Sequence, residues 1–200
     1  MKIAIDLNDV IRDYSNNFIS MYLNYFNHDF DTTDFEMWTN DMQSLLDFKT
    51  ERAYQKFIYE DYPFEIFCKC GTCTKKLPVE LKEWISCLRD YEFDEPVEVM
   101  FVSPMEYGAS ISYTFAFIGN LGCGIREVYL PFDSTKIWDK CDVLITANPS
   151  LISCKPENKY VIKINTEYNK ESFSDYNYKR LSDFLTDEEI LTEINEKINK

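Results

Sequence analysis

The chain opens on a short apolar run, Ile3-Ala4-Ile5, that ends at Asp6, passes Asn8 and Asp9, and turns apolar again at Val10-Ile11. An apolar run of this length bounded by polar residues predicts a strand buried on both faces, as in a parallel sheet. From Asn16 to Phe26 the pattern changes to a period of 3.6, with Phe18, Ile19, Tyr22, Leu23 and Phe26 on one stripe, which predicts a helix. That aromatic stripe reads as packing rather than as a ligand box. Asn27 to Asp34 is polar and turn-like, and Thr33-x-x-Glu36 predicts a capping box for a short turn through Trp38. Leu45 to Tyr59 again has helical spacing, through Leu45, Leu46, Phe48, Ala53, Phe57 and Ile58. Pro78 opens the next helix, lined by Leu81, Trp84, Ile85 and Leu88. Val97 to Val102 is a second strand, ending at Ser103-Pro104. Tyr107 to Leu121 is an apolar helix stopped by Gly122 and Gly124. Glu127 to Leu130, Asp142 to Ile145 and Tyr160 to Ile164 make three further strands, with a loop from Pro131 to Lys136 after the first of them. Thr186-Asp187-Glu188-Glu189 predicts a capping box for a last helix, with Lys197 and Lys200 in its final turn.

Strands alternating with helices predict an α/β fold, a Rossmann-like parallel sheet covered on both faces. The predicted core takes residues 1–13 and 78–200, and residues 14–77 form a helical insertion after the first strand. No Gly/Ser-rich linker marks the edges of that insertion, so it packs on the core.

Composition then narrows the function classes. A hydrophobic fraction of 45% with 16% aromatics excludes a disordered chain of 200 residues. A net charge of −14 repels polyanions and argues against nucleic acid as a partner, while leaving room for a small anionic ligand held by a few local cations. No apolar run approaches a membrane span, and Met1-Lys2 leads straight into a strand, so a soluble, cytoplasmic protein without membrane contact is expected. Seven cysteines without a secretion signal read as reduced thiols. Cys68, Cys70 and Cys73 form one cluster, with Cys87 the nearest fourth thiol. Zinc sites pair two such knuckles or add histidines, and the one histidine, His28, lies in a polar stretch, so free thiols are the plainer reading.

Polar residues fall at or beyond the predicted strand ends, where open parallel sheets carry their chemistry: Asp6 with Asn8, Ser103, Lys136, and Thr146-Ala147. In this order the chain resembles the haloacid-dehalogenase-like phosphohydrolase superfamily, most closely its 5'(3')-deoxyribonucleotidase branch, whose helical cap is inserted after the first strand. Asp6-Leu7-Asn8-Asp9-Val10-Ile11 matches the first motif except at Asn8, where the family has Asp. Val99-Met100-Phe101-Val102-Ser103 matches the second. Asp142-Val143-Leu144-Ile145-Thr146-Ala147-Asn148-Pro149 matches the fourth in frame, but Thr146 and Ala147 replace its acidic pair. Tyr62-Pro63-Phe64-Glu65-Ile66-Phe67 and Tyr168-Asn169 are also similar to this branch.

The resemblance implies that Asp6 is the nucleophile of an aspartyl-phosphate mechanism and one ligand of a Mg²⁺ ion. It makes Asn8 the degenerate acid/base position, and Ser103 and Lys136 the phosphate holders, with Lys140 as the alternative lysine. Asn8 cannot transfer a proton, and loss of a general acid or base costs on the order of 10²–10⁴ in rate. Asp9 is a poor substitute, since neighbours leaving a strand point to opposite sides. Mg²⁺ prefers one or two carboxylates among hard oxygen ligands, and only Asp6 remains on the motif positions. Asp142 lies roughly 13 Å upstream along the strand, and Asn148 offers only an amide oxygen. Asp133 and Asp139 are the loop acids that could replace the missing ligands.

Three functions remain open. The first is a catalytically impaired member of the superfamily, a pseudoenzyme acting by binding a small phosphorylated ligand or a protein partner through its aromatic cap. The second is an active Mg²⁺-dependent phosphoric monoester hydrolase on nucleotide monophosphates. The third is a structural subunit of a larger assembly, bacterial or phage, the Asn-, Lys-, Ile- and Tyr-rich composition pointing to an AT-rich genome.

Overall fold

The computed structural model of the protein describes residues 1–26, 42–46, 48–88 and 96–198. The expected Thr33–Glu36 capping box, His28 and Lys200 lie outside the described residues. Strand β1 (Lys2–Asp6) leads through a tight turn into α1 (Tyr14–Phe26). The expected helix from Leu45 to Tyr59 is two pieces. Helix α2 (Met42–Leu45) stops, and α3 (Glu51–Lys56) starts afresh where the Thr50 hydroxyl accepts the Ala53 N–H at 3.1 Å. Helix α3 then widens into a π-helical turn, Phe57–Asp61. After α4 (Pro63–Phe67) comes α5 (Leu77–Cys87), with Pro78 in its first turn.

The core continues with β2 (Glu98–Val102), α6 (Ala109–Leu121), β3 (Glu127–Tyr129), a 3₁₀ turn (Ser134–Asp139), β4 (Val143–Thr146) and α7 (Pro149–Ser153). It ends with β5 (Tyr160–Ile164), a 3₁₀ turn (Glu167–Asn169), β6 (Tyr176–Tyr178), α8 (Leu181–Leu185) and α9 (Glu188–Ile198). Gly122 ends α6 in the left-handed conformation, at φ 60°. The segment read as a loop from Pro131 to Lys136 turns into the first 3₁₀ helix, capped by the Asp133 carboxylate on the Thr135 N–H. The Thr186 hydroxyl donates back to the Ser182 and Asp183 carbonyls, so it closes α8.

All neighbouring strands are parallel, in the order β3-β2-β1-β4-β5-β6. Alternation along the buried strands sends successive side chains to opposite faces. Ile3, Ile5, Phe101, Ile145 and Ile162 pack with Leu81, Trp84, Phe117, Leu191 and Ile194 of α5, α6 and α9. Ala4, Met100, Val102, Leu144 and Val161 pack with Ile137, Trp138, Leu151 and Ile152 on the other face. Each Val, Leu, Ile, Phe or Met among them contributes about 1.5–3 kcal/mol on burial, which explains why short strands suffice at the centre. Helices α1 to α4 share a third apolar cluster built on Tyr14, Phe18, Tyr22, Phe57 and Phe67. This aromatic stripe packs inward, with Phe18 and Phe57 edge to face at 5.6 Å. Among the described residues, no helix is long and apolar enough to cross a membrane. All seven cysteines are free.

Candidate functional site

Parallel pairing puts three polar residues side by side at the carboxyl end of the sheet. Asp6 ends β1 opposite Val102, so Ser103 follows directly on one side, and β4 delivers Thr146 on the other. Asp6 is 2% exposed, and its Oδ2 accepts a hydrogen bond from Thr146 Oγ1 at 2.7 Å. Its Oδ1 is buried without a hydrogen-bond partner. Burial pushes the Asp6 carboxyl up to about 7, against the pull of the Thr146 hydroxyl and the Arg12 charge. Ala147 contributes its methyl to the sheet core and its carbonyl to Asn169 Nδ2 at 2.9 Å.

Two polar side chains follow Asp6. Asn8 is held at both ends of its amide: its Oδ1 accepts from Arg12 Nε at 2.6 Å, and its Nδ2 lies 3.4 Å from Met105 Sδ. Asp9 does not point away as strand geometry predicts. The strand has ended, and Asp9 takes a left-handed conformation at φ 58°. Its carboxylate thereby lines the same small cavity as Asp6. There its oxygens are occupied by the backbone N–H and hydroxyl of Ser15 and by the Tyr168 hydroxyl at 2.8 Å. Burial raises the Asp9 carboxyl, and it drives the Tyr168 phenol well above its ordinary range.

Two residues that drew no attention in the sequence dominate the Ser103 side. Arg12 has no solvent exposure, its guanidinium lying 5.1 Å from the Phe67 ring centroid and 5.9 Å from that of Phe117. It forms an ion pair with Glu106, whose side chain is equally buried. Arg12 Nη1 donates to the Phe67 carbonyl at 3.2 Å and to Thr114 Oγ1 at 2.9 Å, and Nη2 lies 3.5 Å from Ser103 Oγ. Ser103 Oγ and Thr114 Oγ1 donate to the two Glu106 oxygens at 2.9 and 2.7 Å. An arginine closing an apolar run and a glutamate in a loop both read as solvated residues. The pair spans 94 positions, so no local spacing announces it.

The remaining expected residues lie elsewhere. Lys136 stands on the 3₁₀ turn after β3, 58% exposed, with its ammonium 3.6 Å from Asp139. Lys140 lies over the Tyr129 ring. Asp133 caps that turn, and none of these four lines the cavity beside Asp6. Asp142 is at the opposite end of β4, where it accepts from the Lys2 N–H and the Lys159 ammonium. Asn148 caps α7, its amide oxygen receiving the Ser150 N–H at 2.9 Å.

The cavity beside Asp6 measures about 20 Å³ and is lined by Asn8, Asp9, Tyr14, Ser15, Pro104, Met105, Asn148 and Tyr168 as well as Asp6. Of its carboxylate oxygens, only Asp6 Oδ1 lacks a partner. Mg²⁺ demands a near-octahedral set of oxygens and usually keeps several waters, whereas this space holds on the order of one water. The residues present therefore do not fit a Mg²⁺ site. Among the described residues, no three His, Cys, Asp or Glu side chains are grouped to hold a metal, Cys68, Cys70 and Cys73 included. A larger cleft of about 380 Å³ adjoins through the shared wall of Asp9, Ser15 and Tyr168, with Lys179 and Arg180 on its rim.

No protein-family model and no curated protein matches this chain. Solved structures do. A haloacid dehalogenase-like hydrolase from Burkholderia xenovorans LB400 superposes with a TM-score of 0.59 at 10% identity, over 95% of this chain and 97% of the other. At that identity the likeness carries architecture rather than activity. The six-stranded parallel sheet, with Asp6 ending its central strand, has the haloacid-dehalogenase-like fold.

Proposed function

We propose that this chain is a degenerate relative of the 5'(3')-deoxyribonucleotidases that binds a ligand or a partner protein in the cytoplasm and no longer hydrolyses phosphate esters efficiently. The observation that carries this is the environment of Asp6. Its one bonded neighbour across the sheet is the Thr146 hydroxyl, and the residue two positions on, Asn8, is an amide tied to Arg12. Attack by a carboxylate on a phosphate ester needs a proton donor for the leaving oxygen and positive charge to lower the repulsion. Asn8 supplies no proton, and the donor set does not suit Mg²⁺. The nearby guanidinium is already neutralised by Glu106. A small phosphorylated compound or a protein seated against the aromatic helical segment fits such a site better than a turning-over substrate.

One observation favours hydrolysis instead. Asp6 Oδ1 is a buried oxygen without a partner, on a residue that lines a cavity, as a nucleophile would be. Phosphate release from deoxynucleoside monophosphates in millimolar Mg²⁺ separates the two. The expected rate for the native chain equals that of Asp6→Asn. A Mg²⁺-dependent rate that Asp6→Asn abolishes would overturn the binding role. A structural subunit would show neither turnover nor ligand uptake.

A further inference from the structure

We infer that Arg12, Ser103 and Thr114 form an oxyanion seat whose resident occupant is the chain's own Glu106 carboxylate, so that a phosphate group enters only when Glu106 withdraws. This deepens the binding role proposed above and takes its purpose from it, but its test reads anion binding rather than turnover, so the two fail separately.

The seat is built from three elements. Arg12 comes from the turn between β1 and α1, Ser103 from the end of β2, and Thr114 from α6. Ser103 donates to Glu106 Oε1 at 2.9 Å, Thr114 to Oε2 at 2.7 Å, and the Arg12 guanidinium pairs with Oε1. A guanidinium fork with two hydroxyls is the donor set that recognises phosphate and carboxylate groups. The seat also adjoins Asp6, which feels the Arg12 charge and whose strand partner precedes Ser103.

The occupant differs from its holders in how it is anchored. Thr114 belongs to α6, Arg12 is fully buried, and Ser103 directly follows β2 with its N–H on the Tyr129 carbonyl, whereas Glu106 rides further along the short link between β2 and α6. That link begins with Pro104 and ends at Gly108, which has φ 57° and ψ −126°, while Tyr107 is 66% exposed. Its fastenings include the Tyr59 hydroxyl on the Met105 carbonyl at 2.8 Å, the Asn8 amide on Met105 Sδ at 3.4 Å, and the Ser110 hydroxyl, which accepts the Tyr107 N–H at 2.7 Å. Withdrawal in this proposal is a swing of the link between Pro104 and Gly108, which takes the carboxylate out while Ser103, Thr114 and Arg12 stay.

Thermal melts of the full chain in phosphate against chloride at matched ionic strength test this. Glu106→Ala should melt below the native chain and regain roughly 5 °C at phosphate about a hundred-fold above its Kd. Glu106→Gln, which keeps a weaker neutral occupant, should gain less, and the native chain least. Adding Ser103→Ala and Thr114→Val to Glu106→Ala should remove the gain. An acetate arm separates a general carboxylate seat from one that prefers the tetrahedral anion. If Glu106→Ala folds poorly, phosphate during refolding should raise its yield. Equal phosphate shifts in all variants, or a gain that survives loss of both hydroxyls, would show that Glu106 is only a structural partner of Arg12.

Discussion

Asp6 and Glu106 are both buried carboxylates near Arg12, and their hydrogen bonds set them apart. Glu106 is held by a guanidinium and two hydroxyls, while Asp6 has one hydroxyl and a bare oxygen. The folded pKa of Asp6, about 7, stands above its unfolded value of 3.8. The folded state therefore binds more protons between these limits, so stability falls as pH rises through that window. The loss once both states are ionised is on the order of 4 kcal/mol. Melting temperatures at about pH 5 and about pH 8 should differ in that sense. Asp6→Asn should flatten the slope and raise stability at the higher pH, with a residual slope from Asp9, whose carboxyl burial also raises. A melting temperature that rises toward pH 8 would contradict this electrostatic picture. The positions of Asp6, Asn8, Ser103 and Thr146 could be read from the sequence because strand ends are written in local patterns. Arg12 and Glu106 could not, because burial of charge depends on a partner far along the chain.

At the scale of elements, legibility followed length and regularity. The five strands with apolar runs were found, whereas β6 was missed: it is three residues, Tyr-Asn-Tyr, whose side chains are only partly buried or exposed. The helix expected from Leu45 to Tyr59 breaks because Thr50 offers a capping hydroxyl, a local preference that outweighed continuous apolar spacing. Two glycines of the β2–α6 region test the link that carries Glu106. Gly119 sits inside α6 with open space where a Cβ would stand, so Gly119→Ala should stabilise by about 0.5–1 kcal/mol. Gly108 also has space, but its φ of 57° with ψ of −126° is a conformation L residues rarely adopt, so Gly108→Ala should cost about 1–3 kcal/mol. Urea unfolding of both variants measures the contrast, and equal effects would mean that the link does not depend on that backbone state.

For the whole molecule, one sheet order explains where chemistry is expected and which of the expected residues meet there. Placing β1 between β2 and β4 gathers Asp6, Ser103 and Thr146 at one end, while Asp142 is stranded at the other and Lys136 stays on the surface. The architecture was legible because alternating strands and helices admit few arrangements. The motif departures at Asn8, Thr146 and Ala147 are legible as substitutions, whereas the convergence of Arg12, Ser103 and Thr114 on Glu106 is not legible at all. The most direct measurement asks whether phosphorus ever reaches Asp6. The native chain is incubated with a phosphomonoester and Mg²⁺, quenched in acid, and the peptide carrying Asp6 is weighed by mass spectrometry. The account predicts the unmodified mass. A phosphoryl group on Asp6, absent from Asp6→Asn, would contradict it.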